Sequence, residues 1–310
     1  MKWKGKRHIS GYLCVIVAAM LWGSSGTAGK ALFQAGMTPF ELVQIRVTLS
    51  AALLAVTLGV FARRLLQIRA RDLGYFVLLG GVAMAMVQGS YLYAISRIQV
   101  AAAVFLQYLS PLLVGFVSIC FWNERLTLSK LAALFFALSG CYLVVGGYNL
   151  QLLQMNRMGI LGGLGAAVSA AAYTLLGERG MHRYEPATVL FYALAFGALT
   201  WHVLHPPFHY VGAGFGRKQW GWILYISVFG TILPFGLYFM GINYIRSTRA
   251  IITATLEPIS AGFLSFIFLG EVLGPLQIVG AALVICAIVF LQIEREQEAM
   301  TPDRIRAKGT

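Results

Sequence analysis

Glu257 is a carboxylic acid inside the long apolar segment 248–269, and no other residue of the sequence is better placed to do chemistry. If that segment crosses a bilayer as a helix, Glu257 lies within about 3 Å of the bilayer centre, at about 1.5 Å of rise per residue. A charge there costs at least a few kcal/mol unless it is paired, protonated or facing water. Such a residue can accept a proton as a switch, or it can balance a cationic group of a bound solute. A protonated side chain that bonds a neighbouring helix is the structural alternative.

Three further polar side chains lie inside apolar segments. Arg46 is about four residues, or roughly 6 Å, from the middle of its segment. It can bind an anionic group of a solute, pair with a carboxylate, or extend its guanidinium to the outer head groups. Gln88 and Gln107 are amides that would be costly against lipid, so we expect both to face the protein interior. There they can bond a solute or bond each other across helices.

The composition indicates that membrane-spanning helices carry these residues. The chain is 59% hydrophobic and 11% charged, whereas soluble proteins carry about 25% charged residues. Ten segments approach the length of about 20 residues that a span requires, and they must be helices because every backbone group in hydrocarbon has to bond internally. The predicted spans are 10–32, 39–62, 73–95, 100–122, 128–147, 157–179, 187–205, 219–241, 248–269 and 274–294.

The basic residues indicate how these spans are oriented. Of the 24 lysines and arginines, 18 fall on the side that holds both termini and 5 on the other, which favours cytoplasmic termini. They lie in short gaps between apolar runs and not along one helix face. The net charge of +13 therefore does not indicate a nucleic-acid-binding protein.

An internal repeat divides the chain into two halves. Residues 91–126 align without a gap with residues 238–273, with 12 identities over 36 positions. Leu109-Ser110-Pro111 lies opposite Leu256-Glu257-Pro258, at an offset of 147. Each half holds five predicted helices, and because five is odd the second half enters the membrane from the opposite side. Inverted halves can rock against each other around a site near mid-membrane, so the pattern predicts a transporter.

The repeat separates shared from unshared residues. Pro111 and Pro258 are shared, and a proline near the middle of a helix removes a backbone bond and kinks the helix. Glu257 is unshared because its counterpart is Ser110, and Arg46 is unshared because its counterpart is an alanine. We expect shared residues to serve the scaffold and its motion, and unshared polar residues to serve the solute.

Four aromatic side chains are candidates to line a cavity that tolerates apolar or aromatic solutes, namely Trp22, Tyr91, Tyr173 and Tyr238. Packing between helices and anchoring at the membrane interface are the alternatives. Tyr91 and Tyr238 are repeat counterparts, so inverted halves would place them toward opposite gates.

The sequence resembles the drug/metabolite transporter superfamily in its ten-helix EamA family. The resemblance implies two inverted five-helix repeats around a central cavity, at 1–150 and 151–295, followed by a cytoplasmic tail at 296–310. It also implies the export of amino acids, other metabolites or drugs, without naming the solute. The matching motifs are Leu21-Trp22-Gly23-Ser24-Ser25, Leu92-Tyr93-Ala94-Ile95, Ala101-Ala102-Ala103, Leu109-Ser110-Pro111-Leu112, Asn123-Glu124-Arg125-Leu126-Thr127, Leu256-Glu257-Pro258 and Leu269-Gly270-Glu271.

We therefore predict a multi-pass inner-membrane transporter that exports an amino acid or drug-like solute by alternating access, with proton coupling through Glu257 as one hypothesis. A passive facilitator, an importer or exchanger, a membrane sensor and an intramembrane enzyme stay open as alternatives. No HExxH, GxSxG or GxxxxGK[ST] motif occurs, so we expect no catalytic residue and no nucleotide-driven pump.

The expected partners are a small solute, the lipid bilayer and protons, with the chain as a monomer or a homodimer. We expect no cofactor. His202, His205 and His209 are close in sequence, but two prolines interrupt their spacing and the segment is predicted at the outer surface, so we expect no metal site.

Overall fold

The computed structural model describes residues 2–34, 36–95, 97–98, 100–122, 127–148, 157–205, 215–269, 274–293 and 301–308. These ranges contain helices, turns and short 3-10 segments, and no strand. The helices are α1 (Lys2–Gln34), α2 (Pro39–Phe61), α3 (Leu73–Phe76), α4 (Ala85–Ile95), α5 (Val100–Gln107), α6 (Ser110–Trp122), α7 (Leu128–Val144), α8 (Arg157–Met181), α9 (Pro186–Leu204), α10 (Arg217–Ser227), α11 (Leu233–Ala254), α12 (Glu257–Leu269), α13 (Pro275–Ile293) and α14 (Pro302–Lys308).

Seven helical stretches of the described chain are long and apolar enough to cross a membrane, and two shorter apolar helices, Leu128–Val144 and Pro275–Leu291, accompany them. Each of the ten predicted spans falls on helical structure. The predicted spans 219–241 and 248–269 differ most, because the stretch Arg217–Ala254 is continuous and only Arg246 departs from helical geometry within it. The all-helical membrane architecture is thus confirmed, while the count of ten spans stays a prediction.

Local sequence explains where α2 and α9 begin. Thr38 caps α2, because its Oγ1 accepts a hydrogen bond from the Glu41 N–H at 3.3 Å while Glu41 Oε2 accepts one from the Thr38 N–H at 2.8 Å. Pro39 follows as the first helical residue, where a missing N–H costs nothing. Pro186 occupies the same position in α9, 147 residues later.

Two of the helical regions break near their middle. Turns at residues 108–109 separate α5 from α6, and turns at residues 255–256 separate α11 from α12. The breaks are 147 residues apart, which is the offset of the sequence repeat. Pro111 and Pro258 are the second residues of the helices that follow, so each proline lies just after a break. The sequence predicted a kink within one continuous helix at each proline, whereas the structure has two separate helices there.

The same offset recurs in two π-helical segments. Val77–Met84 joins α3 to α4, and Val228–Ile232 joins α10 to α11. Subtracting 147 from the second segment gives 81–85, which overlaps the first. A π-helical turn widens a helix by one residue and is often found at functional sites.

The packing of the helices follows the repeat, because a contact between two helices in one position recurs between the helices at the equivalent positions of the other half. α1 packs on α11 and α12, while α8 packs on α4, α5 and α6; α2 packs on α9, and α7 packs on α13. At the α7–α13 crossing, a Cβ added at Gly140 would lie 2.7 Å from the carbonyl oxygen of Gly280, and one added at Gly280 would lie 2.7 Å from that of Gly140. Only glycine permits so close an approach of two backbones.

One end of the bundle is rich in arginine and is called the basic end below. It comprises residues 62–72, 178–185, 246–249 and 301–308. Asp72 accepts bonds there from Arg183 Nη1 at 3.2 Å and from the Tyr184 hydroxyl at 2.6 Å. These contacts tie the connection between α2 and α3 to the turn between α8 and α9.

Candidate functional site

Glu257 and Tyr108 meet at the two helix breaks. The Tyr108 hydroxyl donates a hydrogen bond of 2.7 Å to Glu257 Oε2. Tyr108 lies in the first break and is buried, whereas Glu257 opens α12 immediately after the second break and is half-buried. The bond therefore joins the equivalent interrupted regions of the two halves.

The break determines the surroundings of the Glu257 carboxylate. The first backbone N–H groups of a helix have no partner within the helix, and its N-terminus carries partial positive charge, so a carboxylate is stabilised there. α1 covers the same turn, because a Cβ added at Gly23 would lie 3.2 Å from the Glu257 carbonyl oxygen and 2.8 Å from the Ala261 nitrogen. A side chain at position 23 would push α1 away from the site.

Glu257 interacts electrostatically with Arg46 and with Tyr91, both of which are half-buried. Arg46 Nε is buried without a hydrogen-bond partner, and across the described chain the Arg46 guanidinium forms no ion pair and no hydrogen bond. The cation and the anion thus lie within electrostatic range but are not joined directly. This arrangement leaves both charges able to bind another molecule.

Five aromatic rings form a cluster that includes Trp22, the chain neighbour of Gly23, and we call it the aromatic cluster. Trp22, the residue before Gly23, contacts Phe235 edge to face with a ring-centroid distance of 5.0 Å, and Tyr238 at 5.4 Å. Tyr173 stacks on Phe239 at 5.0 Å and meets Phe235 at 5.7 Å. Edge-to-face and stacked pairs of this kind each contribute about 0.5–1.5 kcal/mol beyond burial.

Two donors in the aromatic cluster are unsatisfied. Trp22 Nε1 and the Tyr173 hydroxyl are buried without a hydrogen-bond partner in the described part of the structure. In contrast, the Tyr238 hydroxyl pairs with Thr174 Oγ1 at 2.9 Å. Leaving a buried donor unpaired costs about 1–3 kcal/mol, so such groups usually mark a place for water or a ligand.

The structure does not bring all of the predicted site residues to one point. The aromatic cluster contains Trp22, Tyr173 and Tyr238. Tyr91 and Arg46 interact electrostatically with Glu257. Gln88 is buried on α4, as expected of an amide that avoids lipid, and Gln107 is half-buried at the end of α5. Among the described residues neither glutamine hydrogen-bonds to the other candidates, so the structure does not bring the two amides together with them.

Several sequence predictions concern residues outside the described set. These are Glu124, Glu271 and His209. Among the described residues, no group of three or more His, Cys, Asp or Glu side chains is arranged to hold a metal ion. His202 and His205 are described, and His202 Nδ1 lies 2.8 Å from the Ala198 carbonyl oxygen.

Sequence reasoning missed the carboxylate at the basic end. Glu178 is only 1% exposed and accepts three bonds from α11: from Arg246 Nε at 3.1 Å, from the Ser247 N–H at 2.7 Å, and from the Ser247 hydroxyl. Glu178 lies one residue before the end of the predicted span 157–179. Its partner Arg246 lies in the gap between two predicted spans and was therefore treated as a loop residue. An acidic residue within an apolar run was the available signal.

Arg306 of α14 also bonds across the basic end. Its Nη1 donates to the Met181 carbonyl oxygen at 2.6 Å, to the Tyr184 carbonyl oxygen at 3.1 Å and to Asn243 Oδ1 at 3.3 Å. Its Nη2 pairs with Glu185 at 3.1 Å. One guanidinium thus joins the last turn of α8, the start of α9 and the middle of α11.

The chain matches the EamA-like transporter family twice, at residues 9–146 and 157–293. The two matches cover most of the chain, so the protein belongs to this family and is an integral membrane transporter. The resemblance predicted from the motifs of both halves is confirmed.

Curated relatives and a solved structure agree with this assignment. Over 295 residues, the chain is 27% identical to the inner membrane transporter YicL of Salmonella typhimurium, covering 93% of this chain and 97% of that protein. Over 299 residues, it is 25% identical to the threonine/homoserine exporter RhtA of the same species, covering 94% of this chain and 95% of that protein. A crystal structure with 18% identity has a TM-score of 0.75 and covers 92% of this chain and 96% of its own, which shows likeness of fold alone.

Proposed function

We propose that this chain is a secondary transporter that exports an amino acid, or a metabolite with the same pair of charged groups, across the inner membrane by alternating access. In this account ten spans form two inverted five-helix halves, at 1–150 and 151–295, and both termini are cytoplasmic. The shared offset of 147 between the helix breaks, between the π-helical segments and between Pro39 and Pro186 supports the inverted repeat.

The observation that carries the proposal is the separation of Glu257 from Arg46. The two opposite charges influence each other, yet no ion pair joins them among the described residues. An α-amino acid carries an ammonium and a carboxylate on adjacent atoms. We assign the ammonium of the solute to Glu257 and its carboxylate to Arg46, since each would then form a charge-assisted hydrogen bond.

The aromatic cluster provides the surface for the rest of the solute. Trp22 and Tyr173 offer apolar ring faces together with two donors that have no hydrogen-bond partner within the described ranges of the chain. A side chain with an apolar part and a hydrogen-bond acceptor would match both properties. Small hydroxylated or carbonyl-bearing side chains meet this requirement better than purely aliphatic ones.

Proton coupling is assigned to Glu257. Among the described residues its carboxylate accepts one hydrogen bond, from the Tyr108 hydroxyl, so it can alternate between a proton and the ammonium of the solute. Competition between proton and solute for one carboxylate is the simplest form of antiport. A passive facilitator or an exchanger would use the same binding groups without that competition, and it is the second candidate.

A thermal-shift screen of the purified protein, followed by flux in proteoliposomes, tests this function. The panel holds amino acids, amines, sugars and nucleobases. We expect amino acids to raise the Tm and to be moved in liposomes, and their amine or carboxylate analogues to do less. If sugars or nucleobases stabilise the protein and amino acids do not, the proposed solute class is wrong.

A further inference from the structure

Glu178 occupies a position that solute binding does not explain. Its carboxylate lies at the basic end, where it bridges α8 to the short non-helical point within α11. The ion pair with Arg246 is nearly free of solvent, with 6% of the arginine side chain and 1% of the glutamate side chain exposed. Buried pairs of this kind are costly to break, because removal of one partner leaves the other charge uncompensated.

The backbone at Arg246 shows that this contact holds α11 in a particular shape. Arg246 has φ of +67° and ψ of 167°, and it is the one non-glycine residue with positive φ in the described chain. A non-glycine residue there costs of order 1–3 kcal/mol and persists only where its surroundings fix it. The next residue, Ser247, donates both its N–H and its hydroxyl to Glu178. The first N–H groups of a helix lack partners within the helix and are available for such bonds.

The sequence repeat indicates that the first half lacks the residues for the same contact. Subtracting 147 from positions 178, 246 and 247 gives Ala31, Gln99 and Val100. None of the three counterparts is charged, so the first half cannot form the same clamp at the opposite end. Inverted halves exchange their roles when access alternates, and a clamp in one half alone therefore favours one of the two states.

We propose that Glu178 is a positioning residue that holds the basic end closed, so that the resting transporter opens to the side away from its termini. The proposal rests on the alternating-access function and extends it by naming the contact that sets the resting state. Solute must then supply the free energy that separates α8 from α11. Arg306 spans the same two helices through Met181 and Asn243 and acts in the same direction.

The accessibility of Cys141 tests the proposal without any solute. Cys141 is 1% exposed, and its sulfur lies 3.9 Å from the Thr255 carbonyl oxygen beside the second helix break. A chain that keeps Cys141 as its only cysteine is placed in inside-out and right-side-out vesicles. A membrane-impermeant thiol reagent is then added to each. We expect Glu178→Gln to raise the labelling rate in inside-out vesicles about tenfold, within the range typical of coupling between two states, and to lower it in the other orientation.

Two further variants keep the test decisive. Glu178→Gln alone removes the carboxylate that pairs with the buried Arg246 and can fail to fold, whereas the double variant Glu178→Gln/Arg246→Gln removes both charges and should fold while labelling as fast. Asp72→Asn is the matched control, because it removes another basic-end carboxylate that does not join α8 to α11, and it should leave labelling unchanged.

A folded double variant that labels at the parental rate, or equally faster labelling in both vesicle orientations, overturns the clamp. Transport measurements separate this result from the proposed function. If no amino acid is moved yet labelling responds as expected, the solute assignment fails and the clamp stands.

Discussion

The hydrogen bond between Tyr108 and Glu257 joins two helix breaks that the sequence places 147 residues apart. Each break is a turn of irregular backbone, which a membrane protein tolerates only against protein or water. The two half-helices that follow begin with different residues, Ser110 in one half and Glu257 in the other. The scaffold is therefore repeated while the chemistry is not, and a single carboxylate distinguishes one half from the other.

Replacement of Arg46 tests the assignment of the solute carboxylate. Arg46→Gln removes the cation but keeps a donor, and a hydrogen bond to a charged group contributes about 1.5–3 kcal/mol. We expect KM for an amino acid to rise by about 10- to 100-fold, and KM for its decarboxylated amine to change little. Initial rates in proteoliposomes with both solutes measure the difference.

Arg64→Gln is the control for that experiment, since Arg64 is exposed at the basic end. It should leave both KM values unchanged. Equal loss of amino acid and amine transport in Arg46→Gln would assign Arg46 to structure instead of to solute binding.

Replacement of Tyr173 should have opposite effects on the stability of the protein and on solute binding. Tyr173→Phe removes a buried donor that has no partner, so the Tm without solute should be unchanged or higher. The additional rise in Tm caused by solute should shrink if the hydroxyl bonds the solute. Thermal unfolding with and without amino acid measures both effects.

Tyr238→Phe is the matched comparison within the same aromatic cluster. Its hydroxyl is bonded to Thr174, so its removal should cost about 1 kcal/mol of stability and lower the Tm. If the two variants have the same effect on unfolding, the hydroxyl of Tyr173 is satisfied in solution and the inferred solute contact is lost.

We expect the packing of α14 against α8, α11 and the start of α9 to depend on the side chain of Arg306. Arg306→Ala removes bonds to Met181, Tyr184, Asn243 and Glu185. We expect amide hydrogens of Pro302–Lys308 to exchange much faster, because local opening then costs less free energy. Lys308→Ala removes an exposed cation from the same helix and should leave exchange unchanged; similar exchange in both variants would contradict this docking.

His182 predicts a pH dependence of stability. It follows the last residue of α8, where burial and the charges of Arg246, Arg179 and Arg306 lower its pKa from 6.5 to about 4. The unfolded chain therefore binds a proton at higher pH than the folded chain does. The stabilising contribution is complete above about pH 6.5 and is lost as the pH falls toward 4. His182→Gln should flatten the dependence of Tm on pH in this window, and an unaltered slope would show that another group is responsible.

The sequence predicted the helices well, because a bilayer leaves few alternatives. Hydrocarbon forces apolar runs of sufficient length into helices, so the positions of α2, α8 and α9 followed from composition and from Pro39 and Pro186. The repeat also placed Pro111 and Pro258 at equivalent points. A proline pattern does not decide between a kink and a complete break, however, and the turns at 108–109 and 255–256 required the structure.

The site was predicted less completely, for a physical reason. Glu257 and Arg46 were named as candidates because a charge in an apolar run is conspicuous. Tyr108 and Phe235 were missed because an aromatic residue in such a run has the same pattern whether it faces lipid, a neighbouring helix or the site. Glu178 was missed because its span ends one residue later, and depth in the membrane cannot be read to one helical turn from sequence.

Uptake by proteoliposomes with Glu257→Gln under an imposed pH gradient tests whether this carboxylate couples the movement of protons to that of the solute. The wild-type protein should accumulate an amino acid against its gradient when a proton gradient is present. Glu257→Gln should lose this accumulation across a pH series, and any remaining exchange of internal for external solute should show a raised KM, because the solute ammonium loses its carboxylate partner. Normal accumulation by Glu257→Gln over the same series would contradict the account, because the carboxylate could then be neither the proton carrier nor the required partner of the solute.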